Sequence, residues 1–327
     1  MFDILEKVLK PFGPSGMETA VANTVRKEIE PFVDTIETDA MGNLIATKAG
    51  TDPNGKKIMF SAHMDHIGFV VTGYEKGGFL RVAPVGGVSV DMSRTRHVSF
   101  ENGSHGVVVC QPVKGAAQMT DLFIDIGAQD EDEARTMVRL GDMAVYANDC
   151  FRLGQNRVAS PAMDDRCAVA LLVKLLQTVG ETKDTIVALF SVQEEVGCRG
   201  AKVASFAKEP DIGIALDVTA WGDTPEVTQP AIKLGEGVAV KVMDKLSISH
   251  PALREALIEA GEQAGVKVQR EVLAFGGTDA GSMQTSRGGI PVCTVSIPCR
   301  YVHSACEVID MRDMDAALTM LKAWLNK

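Results

Sequence analysis

The chain has 327 residues, of which 46% are hydrophobic, and a formal net charge of -10. This length exceeds a typical domain of ~100 to 200 residues, so it predicts two domains or one domain with a large insertion. The apolar runs stay short of the ~18 residues that a membrane helix needs, and the basic residues form no stripe, which argues against a membrane protein and against a nucleic-acid partner.

The seven cysteines stand singly along the chain, in an odd number and without a C-x-x-C pair. This spacing predicts reduced thiols and argues against a cysteine-based zinc site. The amino terminus, MFDILEKVLKPF, has the pattern of an amphipathic helix and lacks the basic start and apolar run of a secretory signal. We therefore expect a cytoplasmic protein.

The first segment predicts helices at Phe2 to Lys10 and at Glu18 to Ile29, with Gly13, Pro14 and Gly16 between them. A hairpin is expected in VDTIETDAMGNLIATKAG. The apolar stretch KKIMFSAHMD that follows predicts a strand that ends on polar residues.

Between about residues 68 and 157 the sequence changes to short apolar runs separated by glycines, with little helical periodicity before Asp130. This pattern predicts a β-rich block. After about Val158, strands of the buried type (DTIVALFSV, DIGIALDVT, PVCTVSIPCRYVH) alternate with amphipathic helices, the last being DMDAALTMLKAWLNK. We predict an α/β fold with a mixed sheet flanked by helices, in which residues 1–67 and 158–327 form a catalytic domain and residues 68–157 an inserted β-rich small domain.

Histidine and acidic residues stand where predicted strands end or a helix begins. Zinc, cobalt and manganese prefer imidazole and carboxylate ligands, and ligands of an open α/β sheet bind at the carboxyl ends of its strands. Each position alone is equally typical of a structural histidine, a solvated pair or a helix start. Their joint placement predicts a metal site built from His63-Met64-Asp65, Asp164-Asp165, Glu194-Glu195, Asp217 and His303.

These positions lie in motifs that resemble the glutamyl aminopeptidase and tetrahedral aminopeptidase family of metallopeptidases with two catalytic metal ions. The motifs are SAHMDHIGFVV, SPAMDDR, QEEVGCRGA, ALDVT, GGTDAGSM and SIPCRYVHS, and they follow the family order from GPSGME to VIDMRD. The resemblance implies a zinc-exopeptidase-like fold and removal of amino-terminal residues from peptides.

Carried over residue by residue, the resemblance implies that His63 and Asp217 hold one metal ion and that Glu195 and His303 hold the other. Asp164 is implied to bridge the two ions. The implied cofactors are two divalent cations per subunit, zinc or cobalt, with manganese as a further candidate.

The resemblance implies that Glu194 is the general base. Asp65 is implied to be the carboxylate that hydrogen-bonds the imidazole of His63 and fixes its tautomer. The family also implies a cis peptide between Asp164 and Asp165.

The chemistry of these residue types agrees with the implied roles. Two cations ~3.5 to 4 Å apart polarise a scissile carbonyl and lower the pKa of a bridging water toward neutrality. Three carboxylates and two neutral histidines nearly balance two dications, which leaves Glu194 free to take the proton of that water. Because neighbours on an extended segment point in opposite directions, we expect Glu195 to reach a metal while Glu194 does not.

The sequence departs from the family pattern at His66, where Glu is common, and at Ala305-Cys306, where Pro-Val is common. The segment GGVSVDMSRTRHVSF replaces one with a Gly-Gln-Arg turn. None of these is a ligand position, so the departures bear on substrate preference and assembly. Three histidines match no motif and are interpreted as surface or structural residues, namely His97, His105 and His250.

Other functions stay open at this point. The same metals and base serve a deacylase or amidase of small N-acyl amines. A glycoside hydrolase would use Glu194 and Glu195 as its acid and base, but chain neighbours do not readily stand on opposite sides of a bond that needs carboxylates ~5 to 9.5 Å apart. A binding protein with a relic metal site would have lost a ligand or the base, and here all seven positions are present.

The β-rich block contains no proposed ligand, so we expect that the chemistry does not require it. Its apolar runs VVT, FLRVAPV and GVVV indicate a small barrel or sandwich with surface left for symmetric self-association. The resemblance implies dimers through this block and a dodecamer, a tetrahedral shell that admits short peptides and excludes folded proteins.

Overall fold

The computed structural model describes residues 1–147 and 150–327. Its helices include both amino-terminal helices predicted from the sequence and the carboxyl-terminal one. They are α1 Phe2–Leu9, α2 Thr19–Ile29, α3 Val90–Ser93, α4 Glu131–Met137, α5 Met163–Thr178, α6 Arg199–Lys208, α7 Pro251–Gln263, α8 Asp279–Gln284 and α9 Met311–Leu325.

The strands fall into a large sheet and a barrel. Those of the large sheet are β1 Thr35–Thr38, β2 Leu44–Lys48, β3 Lys57–His63, β10 Phe151–Leu153, β11 Arg157–Ser160, β12 Thr185–Ser191, β13 Ile212–Thr219, β14 Val238–Met243, β15 Val268–Val272, β16 Val292–Arg300 and β17 Glu307–Asp310. Those of the barrel are β4 Gly68–Tyr74, β5 Leu80–Val85, β6 His97–Phe100, β7 His105–Cys110, β8 Leu122–Asp125 and β9 Met143–Tyr146.

The large sheet is mixed, as predicted. Its order is β1-β2-β12-β3-β13-β16-β17-β11-β10, with β14 beside β16 and β15 beside β14. Strands β12, β3, β13 and β16 run parallel to one another at its centre, and the outer pairs β1/β2 and β10/β11 are antiparallel. The carboxyl ends of the central strands therefore meet at one edge, which is where the sequence places most of the candidate ligands.

Helices cover both faces of this sheet because successive strand residues point to opposite sides. Ile58 and Phe60 pack into the larger core with α1, α2, α5, α7 and α9. Met59 lies between them in the chain and packs on the other face against Ala201 of α6 and Met283 of α8. The alternation of apolar strands and amphipathic helices thus becomes the predicted α/β fold.

The strands from Gly68 to Tyr146 close into the barrel β4-β5-β8-β7-β6-β9, which has a hydrophobic core of its own. In that core Phe69 and Tyr146 meet edge to face, with ring centroids 5.8 Å apart. The β-rich block is therefore a barrel. Strand β10 lies inside the predicted insert but pairs with β11 of the large sheet, and the division at residues 68 and 157 stays a prediction.

In the described part of the chain no helix is both long and apolar enough to cross a bilayer. The seven cysteines are free thiols, as the spacing predicted.

Candidate active site

The predicted ligands meet in one cleft at the carboxyl edge of the central strands. His63 is the last residue of β3, and Asp217 lies near the end of β13. Glu194 and Glu195 follow β12, and His303 follows β16. His63 and Asp217 are buried, with 2% and 6% of their surface exposed, so their polar atoms need partners inside the protein.

Asp164 lies between two groups of candidate ligands. Its Oδ1 is 3.1 Å from Nε2 of His63, and that Nε2 is 3.8 Å from Oδ1 of Asp217. Its Oδ2 is 3.3 Å from Nε2 of His303, which is 3.2 Å from Oε2 of Glu195. The structure therefore brings all five predicted ligands together and places Asp164 between the two groups.

This donor set fits divalent cations. The ligand atoms of each group lie within 4.8 Å of one another. Oε1 of Glu195 is buried without a hydrogen-bond partner in the described structure. Burial raises the pKa of Glu195, and it raises that of Asp217 well above its usual range. Cations at this place would stabilise the ionised carboxylates that burial disfavours.

Both histidines lie beside carboxylates, which stabilise the charged form of each imidazole. Burial disfavours a charged imidazole, but hydrogen bonds to Asp164 and Asp65 still raise the pKa of His63 well above its usual value. Burial also acts on His303, yet the charge of Glu195 and the contact with Asp164 raise its pKa to about 12. Because a metal binds the neutral imidazole, metal ions would have to displace protons from this site.

Asp65 contacts His63 through both its backbone oxygen and its carboxylate, and the role implied for the carboxylate stays a prediction. Nδ1 of His63 lies 3.0 Å from the backbone oxygen of Asp65 and 3.6 Å from its Oδ1, so the carbonyl group makes the closer contact. The carboxylate also accepts hydrogen bonds from Oγ of Ser15 at 2.6 Å and from the backbone nitrogens of Glu194 and Glu195 at 2.9 and 3.2 Å. Asp65 thereby fixes the backbone of both glutamates.

Glu194 and Glu195 lie in a turn. The strand before them ends at Ser191, and Gln193 has a φ of 56°. The expectation that an extended segment separates the two side chains is therefore wrong, because the backbone turns sharply before Glu194. Oε2 of Glu194 lies 4.0 Å from Nε2 of His63, and Oε1 accepts a hydrogen bond from Sγ of Cys198 at 3.0 Å.

The start of α5 is irregular where the bridging residue lies. Asp164 and Asp165 have non-helical backbone angles, and the peptide between them is cis, as the resemblance implied. Asp164 therefore precedes the regular helix. Oδ2 of Asp165 accepts a hydrogen bond from the backbone nitrogen of His63 at 3.2 Å, which ties this turn to the end of β3.

Glu307 is a site residue that sequence reasoning missed. Its carboxylate is buried and accepts from the backbone nitrogens of Asp164 at 2.9 Å and His303 at 2.7 Å. It therefore fixes the backbone of one ligand in each group. The available signal was an acidic residue directly before the apolar pair Val308-Ile309 of the strand EVID.

The barrel also reaches the site. A Cβ atom at Gly87 would lie 2.4 Å from Nδ1 of His303, and one at Gly86 would lie 3.1 Å from Oε2 of Glu195. Gly86 also has a φ of +77°, which favours glycine. The β-rich block contains none of the candidate ligands, as expected, but the loop after β5 packs against two of them. That the chemistry does not require the block stays a prediction.

The ligands lie on one side of a cleft of about 590 Å³. The lining away from them includes the apolar side chains of Trp221, Leu246, Leu273 and Phe275. Lys241 also lines the cleft and forms ion pairs with two carboxylates, with Nζ 2.9 Å from Glu271 Oε1 and 3.7 Å from Asp244 Oδ2. The described cleft therefore combines one acidic end with a largely apolar wall.

The three remaining histidines lie on the surface, as predicted. His97 and His105 face each other across β6 and β7, with Nε2 of one 3.0 Å from Nδ1 of the other. His250 precedes α7 and is exposed. None of the three lies near the ligand groups described above.

Known proteins are similar to this chain in sequence and in fold. The family described as M42 glutamyl aminopeptidase matches residues 42–320. A protein of Acetivibrio thermocellus described as an aminopeptidase is 43% identical over 98% of this chain and 97% of its own. An aminopeptidase structure from the archaeon Desulfurococcus kamchatkensis has a TM-score of 0.95 at 34% identity, covering 99% of this chain and 94% of that one.

A structure of the TET1 peptidase of Pyrococcus horikoshii, which assembles into a tetrahedron or a large octahedral shell, has a TM-score of 0.88 at 31% identity and covers 100% of this chain and 99% of that one. The family match spans well over half of the chain, and the relatives match it from end to end. The chain therefore belongs to the M42 glutamyl aminopeptidase family and is an aminopeptidase, a hydrolase that acts on peptides.

Proposed function

We propose that this aminopeptidase uses two divalent metal ions per subunit, with Glu194 as the general base. The supporting observation is the position of Asp164, whose two carboxylate oxygens face His63 at 3.1 Å and His303 at 3.3 Å. One ion would be held by His63, Asp164 and Asp217, and the other by Asp164, Glu195 and His303.

Bound cations of this kind polarise a scissile carbonyl and lower the pKa of a water molecule. Glu194 accepts the proton of the attacking water and returns it to the leaving amine. Burial raises the pKa of Glu194 well above its usual range, and a higher pKa makes a carboxylate a stronger proton acceptor. Asp65 fixes the backbone of Glu194 during this transfer.

The donor set favours zinc or cobalt, with manganese as a third candidate, because two imidazoles are combined with three carboxylates. The proposed substrates are short peptides with a free amino terminus, whose ammonium group would meet the acidic end of the cleft.

We also propose a homo-oligomer, built from dimers and reaching a dodecamer, in a reducing cytoplasm. The family match, the TET1 relative and the seven free thiols support these points.

The test compares one peptide with a free amino terminus and its acetylated counterpart. We expect a ladder of products from the free peptide only. Chelation should abolish this ladder, and zinc, cobalt or manganese should restore it. Metal analysis should show two ions per subunit. Undiminished activity in a verified metal-free sample would contradict the metal mechanism. Equal release from the acetylated peptide would favour the deacylase or amidase alternative.

A further inference from the structure

Cys198 touches the proposed base. Its Sγ donates to Oε1 of Glu194 at 3.0 Å, and the thiol is buried, with 2% of the residue exposed. Among the residues that the structure describes, Cys198 makes the single hydrogen bond to the carboxylate of Glu194. The other oxygen, Oε2, faces the ligand groups at 4.0 Å from Nε2 of His63.

The backbone brings this thiol under the carboxylate. The nitrogens of Gly197 and Cys198 both donate to the backbone oxygen of Glu194 at 2.8 Å, and Cys198 adopts the left-handed conformation with a φ of 50° just before α6. Burial raises the pKa of the Cys198 thiol. The sulfur therefore keeps its proton and acts as a donor.

A second carboxylate, that of Asp279, lies close to both the thiol and Glu194. Ligand atoms of Glu194, Cys198 and Asp279 lie within 4.8 Å of one another. Oδ2 of Asp279 is already held by the hydroxyl groups of Ser61 at 2.5 Å and Ser191 at 2.6 Å. The thiol thus supplies a hydrogen bond to Glu194 where a second carboxylate would otherwise repel it.

We propose that Cys198 is a positioning residue that holds Oε1 of Glu194 away from the metal ligands and leaves Oε2 to accept the proton. This inference rests on the proposed role of Glu194. Glu194 is next to the ligand Glu195 and lies close enough to the site to become a ligand itself, and a carboxylate bound to a metal no longer serves as a free base. A thiol is a weak donor, so it constrains the orientation of the carboxylate with little loss of basicity.

The experiment uses the metal-loaded enzyme. It compares a substitution of Cys198 that removes the hydrogen-bond donor with one that retains a donor. We expect Cys198→Ala to lower kcat by about 10-fold with KM within about twofold, since small displacements of a catalytic group cost up to ~100-fold. Cys198→Ser retains a donor and should stay within about threefold of the parent. Cys110→Ala is the control, because Cys110 packs against the barrel core and its Sγ donates to the backbone oxygen of Gln111 at 3.4 Å, so it touches no candidate ligand or base in the described structure.

Two further measurements separate positioning from a structural role. In the Glu194→Gln background, Cys198→Ala should cause no further loss of kcat, because the group that it positions is already gone. In the cobalt-loaded protein, Cys198→Ala should change the visible absorption spectrum as Glu194 reaches the ion. Should the alanine variant unfold, Cys198→Leu fills the volume without a donor and takes its place.

An unchanged kcat in Cys198→Ala, an equal loss in Cys198→Ser, or the same loss in the Glu194→Gln background would overturn the inference. These results leave the proposed function in place if Glu194→Gln by itself is inactive. If Glu194→Gln keeps full activity, the assignment of the base is wrong instead.

Discussion

Glu194 and Glu195 are neighbours in the chain but have different surroundings. Oε2 of Glu195 lies 3.2 Å from His303, whereas the carboxylate of Glu194 lies 4.0 Å from His63 and is held by Cys198. These different surroundings support the proposal that Glu195 is a ligand and Glu194 the base.

We predict that Glu194→Gln retains both metal ions and loses at least ~100-fold in kcat, the lower range for removal of a general base. Glu195→Gln should lose metal, because an amide is a weaker ligand than a carboxylate at a buried cationic site. Metal analysis and steady-state kinetics on the two variants check this. The reverse pattern would show that the two roles are exchanged.

His66, one of the departures from the expected family pattern, is buried beside Arg166. Its Nδ1 lies 3.0 Å from the backbone oxygen of Ile67, and Nε2 has no partner in the described structure. Burial, aided by the charge of Arg166, lowers the pKa of His66 to about 3. The guanidinium group of Arg166 donates hydrogen bonds to backbone oxygens, including those of Met64 and Val8.

His66 should make the fold sensitive to acid. Its pKa is about 6.5 when unfolded and about 3 when folded, so as the pH falls below 6.5 the unfolded chain binds the proton first. Stability is lost by about 1.4 kcal/mol per pH unit down to about pH 3. We predict that His66→Gln gains about 2 kcal/mol relative to the parent between pH 7.5 and 5.

Unfolding in denaturant at both pH values measures this difference. His250→Gln is the control, because His250 is exposed. Parallel pH profiles of the parent and His66→Gln would contradict the buried neutral state of His66.

Among the elements, the loop after β5 connects the barrel to the catalytic edge of the sheet. We predict that Gly87→Ala displaces the imidazole of His303, because the added Cβ would lie 2.4 Å from its Nδ1. The variant should bind one metal ion more weakly and lose activity while the barrel stays folded. Metal titration and circular dichroism check this.

Gly73→Ala is the matched control in the same barrel, since its Cβ would meet nothing closer than Cβ of Arg81 at 3.8 Å. Normal metal affinity in Gly87→Ala would show that the loop does not constrain His303.

The loops after β14 and β15 form the apolar wall of the cleft. Because Lys241 is already paired with Glu271 and Asp244, the described cleft offers no free cation to an acidic substrate side chain. Leu246 and Phe275 remain about half exposed at the cleft. We therefore expect the enzyme to prefer large apolar amino-terminal residues.

We predict that kcat/KM for leucyl substrates exceeds that for glutamyl and lysyl substrates by at least ~10-fold. Leu246→Ala should reduce this ratio, because Leu246 lines the cleft. Ile248→Ala should leave it unchanged, because Ile248 is similarly exposed but lies outside the cleft lining. A panel of aminoacyl chromogenic substrates checks this, and a glutamyl preference would assign recognition to Lys241.

At the scale of the whole molecule, the closed barrel is the part of the chain through which we expect the subunits to associate. We predict that the intact chain, of 34.9 kDa, elutes as a large homo-oligomer near twelve subunits in light scattering. Replacing the barrel, residues 68–146, with a Gly/Ser linker should give small species, because symmetric contacts through it would be lost. It should also reduce activity, because the linker removes Gly86 and Gly87.

A monodisperse monomer of the intact chain at micromolar concentration, active on short peptides, would refute the assembly. The two-metal chemistry would still stand, since every proposed ligand lies in one chain.

The sequence by itself determined the fold class and the composition of the site. Apolar runs between amphipathic helices require a sheet covered on both faces, and the motifs around His63, Asp164 and His303 carry ligand types that point to a cation. These features are local, so they can be read along the chain. The five predicted ligands are accordingly found in one cleft.

The tertiary structure alone decided how these residues are held. The contacts of Glu307 with Asp164 and His303, of Cys198 with Glu194, and of the Gly86–Gly87 loop with the ligands depend on turns and on packing between segments far apart in the chain. Periodicity carries no information on such contacts, because it reports which face of an element is apolar and not which loop lies over it. For the same reason the sequence assigned an extended backbone to Glu194 and Glu195, where the left-handed conformation of Gln193 makes a turn.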